Sequence, residues 1–159
     1  MFYAYGMEKD FLKWHRKKAW IDQRIPHLWY REREVWWCAV GLNVGGEENG
    51  KGDNFLRPIV IFKKFNNGTF WGVPLITKKK TGDFYVPIFL SDDKLRIAML
   101  PQLRLMDARR LKNKMGTITK RNHVDIQKTI TNLFGAQSFF LALPAYRLGI
   151  RGQGTSPEA

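Results

Sequence analysis

Two side chains in this sequence are suited to chemistry on a phosphate: Arg57, and Thr77 with the lysines Lys78, Lys79 and Lys80 directly after it. An arginine's planar fork donates two hydrogen bonds to a phosphate and keeps its charge. A threonine hydroxyl can donate to the same group. Such a pair suits cleavage of RNA without a metal, in which the RNA's own 2′-hydroxyl attacks. The protein must then stabilise the extra charge on five-coordinate phosphorus, assist removal of the 2′ proton and protonate the leaving 5′ oxygen. Each residue also has a plainer role open to it. Arg57 can form an ion pair with Glu47 or Glu48, Thr77 can be an ordinary β-branched strand residue, and 78–80 can be a solvated turn.

The elements that must position these residues are an aromatic strand at 34–42, a polar loop at 43–54 and two further strands at 58–65 and 69–76. Glycines at 45, 46, 50 and 52 let the loop turn sharply and approach a ligand closely. The loop is not a nucleotide-binding loop of the Gly-Lys-Ser/Thr type, because it reads Gly50-Lys51-Gly52. Its acidic residues Glu47, Glu48 and Asp53 are read as shaping the loop or pairing with basic neighbours, and no metal site is assigned. Pro58 stiffens the chain after Arg57, and Thr77 closes the third strand.

With 159 residues, one domain with appendages is expected. A hydrophobic content of 44%, with 11 Phe and 6 Trp, argues for a folded core. The formal net charge of +13 draws polyanions, and the basic residues recur beside strand ends. The lone cysteine, Cys38, lies in an apolar strand and excludes an internal disulfide and a Cys-based zinc site. It reads as a buried structural thiol. The first residues lack a signal-peptide pattern, and no apolar run approaches the roughly 20 residues of a spanning helix. A cytoplasmic protein with no membrane contact is therefore expected.

Along the chain, 7–24 reads as a helix with a loose stripe of Phe11, Trp14, Ile21 and Ile25, ended by Pro26. Neither His15 nor His27 belongs to a metal pattern. Asn66-Asn67-Gly68 is a hairpin turn. Strands follow at 84–90 and 95–100, so five or so short strands with tight turns suggest an antiparallel barrel. Pro74 and Pro87 should mark edges or bulges. The stretch 108–114 reads either as a short helix or as a basic turn before a last strand at 116–119. Asn122 is a candidate cap for a helix at 123–134 that packs through Ile126, Ile130, Leu133 and Phe134, beside an exposed His123. The apolar run 139–143 should pack on the domain, and 150–159 should be disordered.

Four blocks in order resemble the MazF/PemK (Kid) toxin family, and PemK-type members most. They are Arg33-Glu-Val-Trp-Trp37; Gly45-Gly-Glu-Glu-Asn-Gly50 leading to Phe55-Leu-Arg-Pro-Ile-Val60; Val73-Pro-Leu-Ile-Thr-Lys78; and Pro101 to Leu111 followed by Lys114-Met-Gly116. The resemblance implies a mainly β, α+β fold: an SH3-like small antiparallel β-barrel with a C-terminal helix, here with an added N-terminal helix. It implies an N-terminal extension at 1–30, the family domain at 31–135 and a C-terminal extension at 136–159. The implied activity is a metal-independent, sequence-selective endoribonuclease acting on single-stranded RNA, without cofactor, as the toxin of a toxin–antitoxin pair. The implied partners are a second copy of the chain and an acidic antitoxin that fills the RNA groove.

By this resemblance Arg57 and Thr77 take the family's cleavage positions, and Glu47 matches the glutamate of its Gly-x-Glu loop. Gln102 and Arg104 match its Gln-x-Arg segment near the RNA groove, and Lys78, Lys79 and Lys80 become phosphate contacts. The sequence departs from the pattern in a longer loop before Arg57, in Pro101 where some members carry an acid, and in Gly46 where some carry a histidine. The general base is thus left between Glu47 and an activated water. Two rivals use the same features: a gyrase-binding inhibitor of the CcdB type, which cuts nothing, and a non-catalytic nucleic-acid-binding protein.

Overall fold

The computed structural model describes residues 9–26, 29–90, 92 and 94–135. The expectations for His27, for the run 139–143 and for the tail lie outside the described residues. Helix α1 (Phe11–Asp22) opens the chain, followed by strands β1 (Glu34–Ala39), β2 (Leu56–Lys64) and β3 (Thr69–Ile76). Then come β4 (Tyr85–Phe89), β5 (Leu95–Met99), β6 (Arg104–Asp107), β7 (Leu111–Thr117) and helix α2 (Lys120–Leu133).

All pairings are antiparallel, in the order β4-β5-β3-β2-β1-β7, with β6 added to β3. This is the expected α+β fold, but the pairings do not close into a ring. Strand β3 is shared along its length: Thr69–Gly72 pair with β6, whereas Leu75 and Ile76 pair with β5. Pro74 falls at this change of partner, which accommodates a residue with no N–H in a central strand. Pro87 lies on β4, at the end of the strand order, as expected of an edge position.

Side chains alternate across β2 and fill two cores. Val35, Val60, Val73, Leu75 and Ile88 pack beneath α2 with Ile126 and Ile130. Cys38, Ile59, Ile61, Phe70, Met106 and Leu111 fill the other side. Burial pushes the Cys38 thiol up to about 12, as befits a structural residue. Gly72 lets β2, β3 and β6 approach closely, since a Cβ there would meet Ile59 at 2.6 Å and Met106 sulfur at 3.0 Å.

Both helices differ in detail from the sequence expectation. α1 is capped by Asp10 and buries only Trp14 and Ile21; Phe11 and Ile25 are exposed. α2 is capped by Thr119, whose hydroxyl accepts from Asn122 N–H at 3.1 Å, so Asn122 lies inside the helix. It buries Ile126 and Ile130, while Leu133 and Phe134 remain outside. His123 is half-buried, its Nε2 lying 3.0 Å from the Phe62 carbonyl. Of the two readings of 108–114, the turn before a strand is the one found: a 3₁₀ turn at Ala108–Arg110 runs into β7, which starts at Leu111 rather than at 116 because pairing with β1 extends it.

Candidate active site

Strand β2 opens directly after the glycine-rich loop. Phe55, the last loop residue, has φ +52°, a conformation most side chains avoid. Its ring packs edge-on against Trp14 of α1 at 5.3 Å, which anchors the strained position. Two residues later Arg57 pairs in register with Cys38 of β1, and its side chain turns into the fold. It is only 7% exposed.

Every part of the Arg57 fork is engaged. Nε donates to the Asn49 carbonyl at 2.8 Å, Nη1 donates to the Leu75 carbonyl at 3.4 Å, and Nη2 meets a Glu48 carboxylate oxygen at 2.5 Å. Two of these three partners belong to the loop. The loop carries its own bracing: Asn43 N–H donates to Asn49 Oδ1 at 2.6 Å, and Asn43 Nδ2 donates to the Glu48 carbonyl at 2.8 Å. Gln102 adds a strut from outside. Its Oε1 accepts from Glu48 N–H at 3.2 Å and its Nε2 donates to the Gly46 carbonyl at 3.3 Å.

Arg57 and Thr77 line one cleft of about 430 Å³. β2 and β3 bring them together: the pair Ile59–Pro74, continued by two residues along each strand, sets Arg57 against Ile76 and next to Thr77. Lys78, Lys80, Lys51 and Arg96 add positive charge, and Glu48 is the one carboxylate among the described residues of the lining. Trp37 and Met115 supply an apolar wall. Such a cleft can take a phosphodiester against its cations and a base against the indole.

Not all of the residues singled out in the sequence meet there. Glu47 is exposed on the loop and does not line the cleft; its neighbour Glu48 faces Arg57 instead. Lys79 is exposed outside the lining, and Arg104 sits on β6 opposite Gly72. Gln102 reaches the site through the loop. Sequence reasoning passed over Lys51, Trp37, Arg96 and Met115. For Arg96 a signal existed: an arginine inside an apolar strand, with an aspartate in the turn before it.

No curated protein sequence matches the chain. Solved structures do match in fold. The Mycobacterium tuberculosis toxin MazF-mt6 aligns with a TM-score of 0.51 at 12% identity, over 65% of this chain and 97% of that one. An endoribonuclease in complex with its cognate antitoxin, from a mycobacterial species, aligns with a TM-score of 0.51 at 17% identity, over 67% and 95%. MazF from Deinococcus radiodurans aligns with a TM-score of 0.53 at 14% identity, over 67% and 96%. The family profile described as "PemK-like, MazF-like toxin of type II toxin-antitoxin system" matches residues 31–134, which is more than half of the chain. By that match the chain belongs to the PemK-like, MazF-like toxins of type II toxin–antitoxin systems.

Proposed function

We propose that the protein is a sequence-selective endoribonuclease that cleaves single-stranded RNA without a metal. The observation that carries this reading is the meeting of Arg57 and Thr77 in one cationic cleft with a carboxylate, Glu48, at hand. An incoming scissile phosphate takes the place of the Glu48 carboxylate on the Arg57 fork. Arg57 and the Thr77 hydroxyl then stabilise the charge that builds on the equatorial oxygens. Glu48, released beside the ribose, accepts the 2′ proton, a role for which Glu47 is less well placed. The 2′ oxygen bonds to phosphorus as the P–O5′ bond breaks, and the departing 5′ oxygen takes a proton from solvent, giving a 2′,3′-cyclic phosphate and a free 5′-hydroxyl. Lys78 and Lys80 hold neighbouring phosphates, with Lys79 and Arg104 contributing to the field at longer range.

The remaining partners follow from the same reading. Residues 31–135 form the catalytic unit, which acts in the cytoplasm as a homodimer. An acidic antitoxin segment occupies the cationic cleft and excludes RNA. No helix among the described residues is long and apolar enough to cross a membrane.

The test is incubation of the purified protein with a long single-stranded RNA in EDTA, followed by mapping of 5′ ends. Discrete cuts at a recurring short motif, lost in Arg57→Ala, are expected. Intact RNA with binding retained would reject the nuclease reading in favour of a binding protein or inhibitor.

A further inference from the structure

Helix α1 lies outside the matched residues 31–134, and it builds a second basic cavity. This cavity, of about 170 Å³, lies where α1 meets β7 and the start of β2. Trp20 stands at its rim, 53% exposed. Because the helix turns by about 100° per residue, Trp20 is rotated away from the buried Ile21. Lys17 Nζ lies 4.2 Å and the Arg24 guanidinium 5.3 Å from the Trp20 ring. Arg110 and Lys112 complete four cations in the lining, which holds no carboxylate among the described residues.

The absence of an acid here is informative. In the neighbouring cavity on α1, Arg109 is neutralised by Asp22 at 2.8 Å and Asp107 at 2.9 Å. The guanidinium groups near Trp20 bond instead to backbone carbonyls: Arg24 to Arg109 and Leu111, and Arg110 to Ala39. They are fixed in place; Arg110 also lines the neighbouring cavity beside Asp22 and Asp107, so Lys17, Arg24 and Lys112 are the cations this cavity offers a ligand. The exposed Trp71, in contrast, already packs edge-on against Phe65 at 5.2 Å. Leu56 lines both this cavity and the cleft of Arg57, so the two sites share a wall.

We infer that α1 and β7 form a second RNA-binding site, in which Trp20 stacks on a base flanking the cleaved position and Lys17, Arg24 and Lys112 hold its phosphates. Lys17 rests between the indole and Asn54 Oδ1, which it meets at 3.0 Å. A base arriving on the ring displaces the ammonium towards the adjacent phosphate. An aromatic platform set among cations fits a single strand, whose bases all offer a π-face. The inference rests on the reading of the Arg57 cleft as an RNA site, which it extends beyond the residues around the scissile bond.

The test uses the full chain carrying Arg57→Ala, to prevent cutting, and two unstructured RNAs: one that fills the cleft alone and one long enough to reach Trp20. Adding Trp20→Ala is expected to weaken the long RNA about tenfold. Both variants should bind the short RNA alike, and Trp20→Phe should restore most of the loss. Lys112→Ala should lower the salt slope of long-RNA binding by about one. Equal loss on both RNAs, or none, would overturn the second site. So would a loss confined to an acidic peptide, which would make the cavity a protein-docking site. Wild-type protein that binds but never cuts RNA would sink the nuclease reading while the comparison of lengths still decides this one. Failure to bind any RNA would end both.

Discussion

Two buried arginines line the same cleft, and they are held in opposite ways. Arg96 is 4% exposed and Arg57 is 7% exposed. Arg96 is served by its own hairpin: Nη1 donates to Asp92 Oδ1 at 2.7 Å, Nη2 to Asp92 Oδ2 at 2.5 Å, and the Lys94 carbonyl accepts at 3.0 Å. All its partners lie within four residues. Arg57 depends on Asn49 and Glu48, which belong to a glycine-rich loop, and on a long bond to Leu75. A fork-to-fork pair inside one turn takes both carboxylate oxygens at once and favours staying as it is. A single carboxylate contact from a loop can be exchanged for a phosphate oxygen at little cost, because one anion replaces another. The difference separates an arginine that holds the fold from one that is available to a substrate.

Substitution sharpens that contrast. Arg57→Ala should lower the rate of RNA cleavage about a hundredfold or more. It also loses a buried stem, so its melting temperature should fall, but less than that of Arg96→Ala because the glycine-rich loop can rearrange around the vacated site. Arg57→Lys should recover little activity, since an ammonium lacks the fork. Comparable losses of melting temperature in both Arg57 variants and in an Arg96 variant would erase the distinction between the two.

Glu48→Gln tests whether the loop carboxylate occupies the place of the phosphate. With the resident anion removed, KM for RNA should fall severalfold. The base proposed for the 2′ proton is lost at the same time, so kcat should fall about tenfold to a hundredfold. Single-turnover kinetics separate the two effects. An unchanged KM would show that Glu48 does not compete with RNA, and an unchanged kcat would pass the proton to another group.

Much of this arrangement was legible in the sequence, and the parts that were not have physical reasons. The turn at Asn66–Gly68 was readable because it is local: Asn66 Oδ1 accepts from Gly68 and Thr69 N–H at 2.7 and 2.8 Å. The strand ending just before Thr77 and the burial of Cys38 followed from apolar runs. Glu48 was not separable from Glu47, because loop torsions decide which carboxylate faces inward. Trp37 and Met115 join the cleft through the pairing of β1 with β2 and β7, a contact between distant segments. The same pairing starts the last strand at Leu111, five residues before the expected 116. The α1 stripe failed at both ends, since the helix meets the sheet through one turn around Trp14 and another around Ile21.

Arg96→Ala is the complementary test. It should cost about 1–2 kcal/mol of stability, chiefly through the buried stem that alanine does not refill, and should change cleavage by only a few-fold. A larger effect on kcat than on melting temperature would move Arg96 into the RNA site.

The smallest effect expected is the response of that pair to acid. Hydrogen bonds from Arg96 hold the Asp92 carboxyl well below the usual carboxylate range, against a smaller opposing push from burial. A carboxyl depressed in the folded state stabilises the fold above its ordinary pKa, and that contribution fades as pH falls through the folded value. Glu34 adds to the same trend. Burial alone would raise its carboxyl, but hydrogen bonds from Lys114, Trp36 and the Arg31 N–H outweigh it and bring it below the ordinary value. Melting temperature should therefore drop as pH is lowered below about 4. In Arg96→Ala the Asp92 share of this drop is already gone, so its curve should fall less steeply than that of the wild type; Lys114→Met should flatten the Glu34 share in the same way. Parallel acid limbs in wild type and Arg96→Ala would mean that the Asp92 pair adds nothing to stability. The rigidity of its geometry would then be no measure of its worth, and the contrast with Arg57 would rest on catalysis alone.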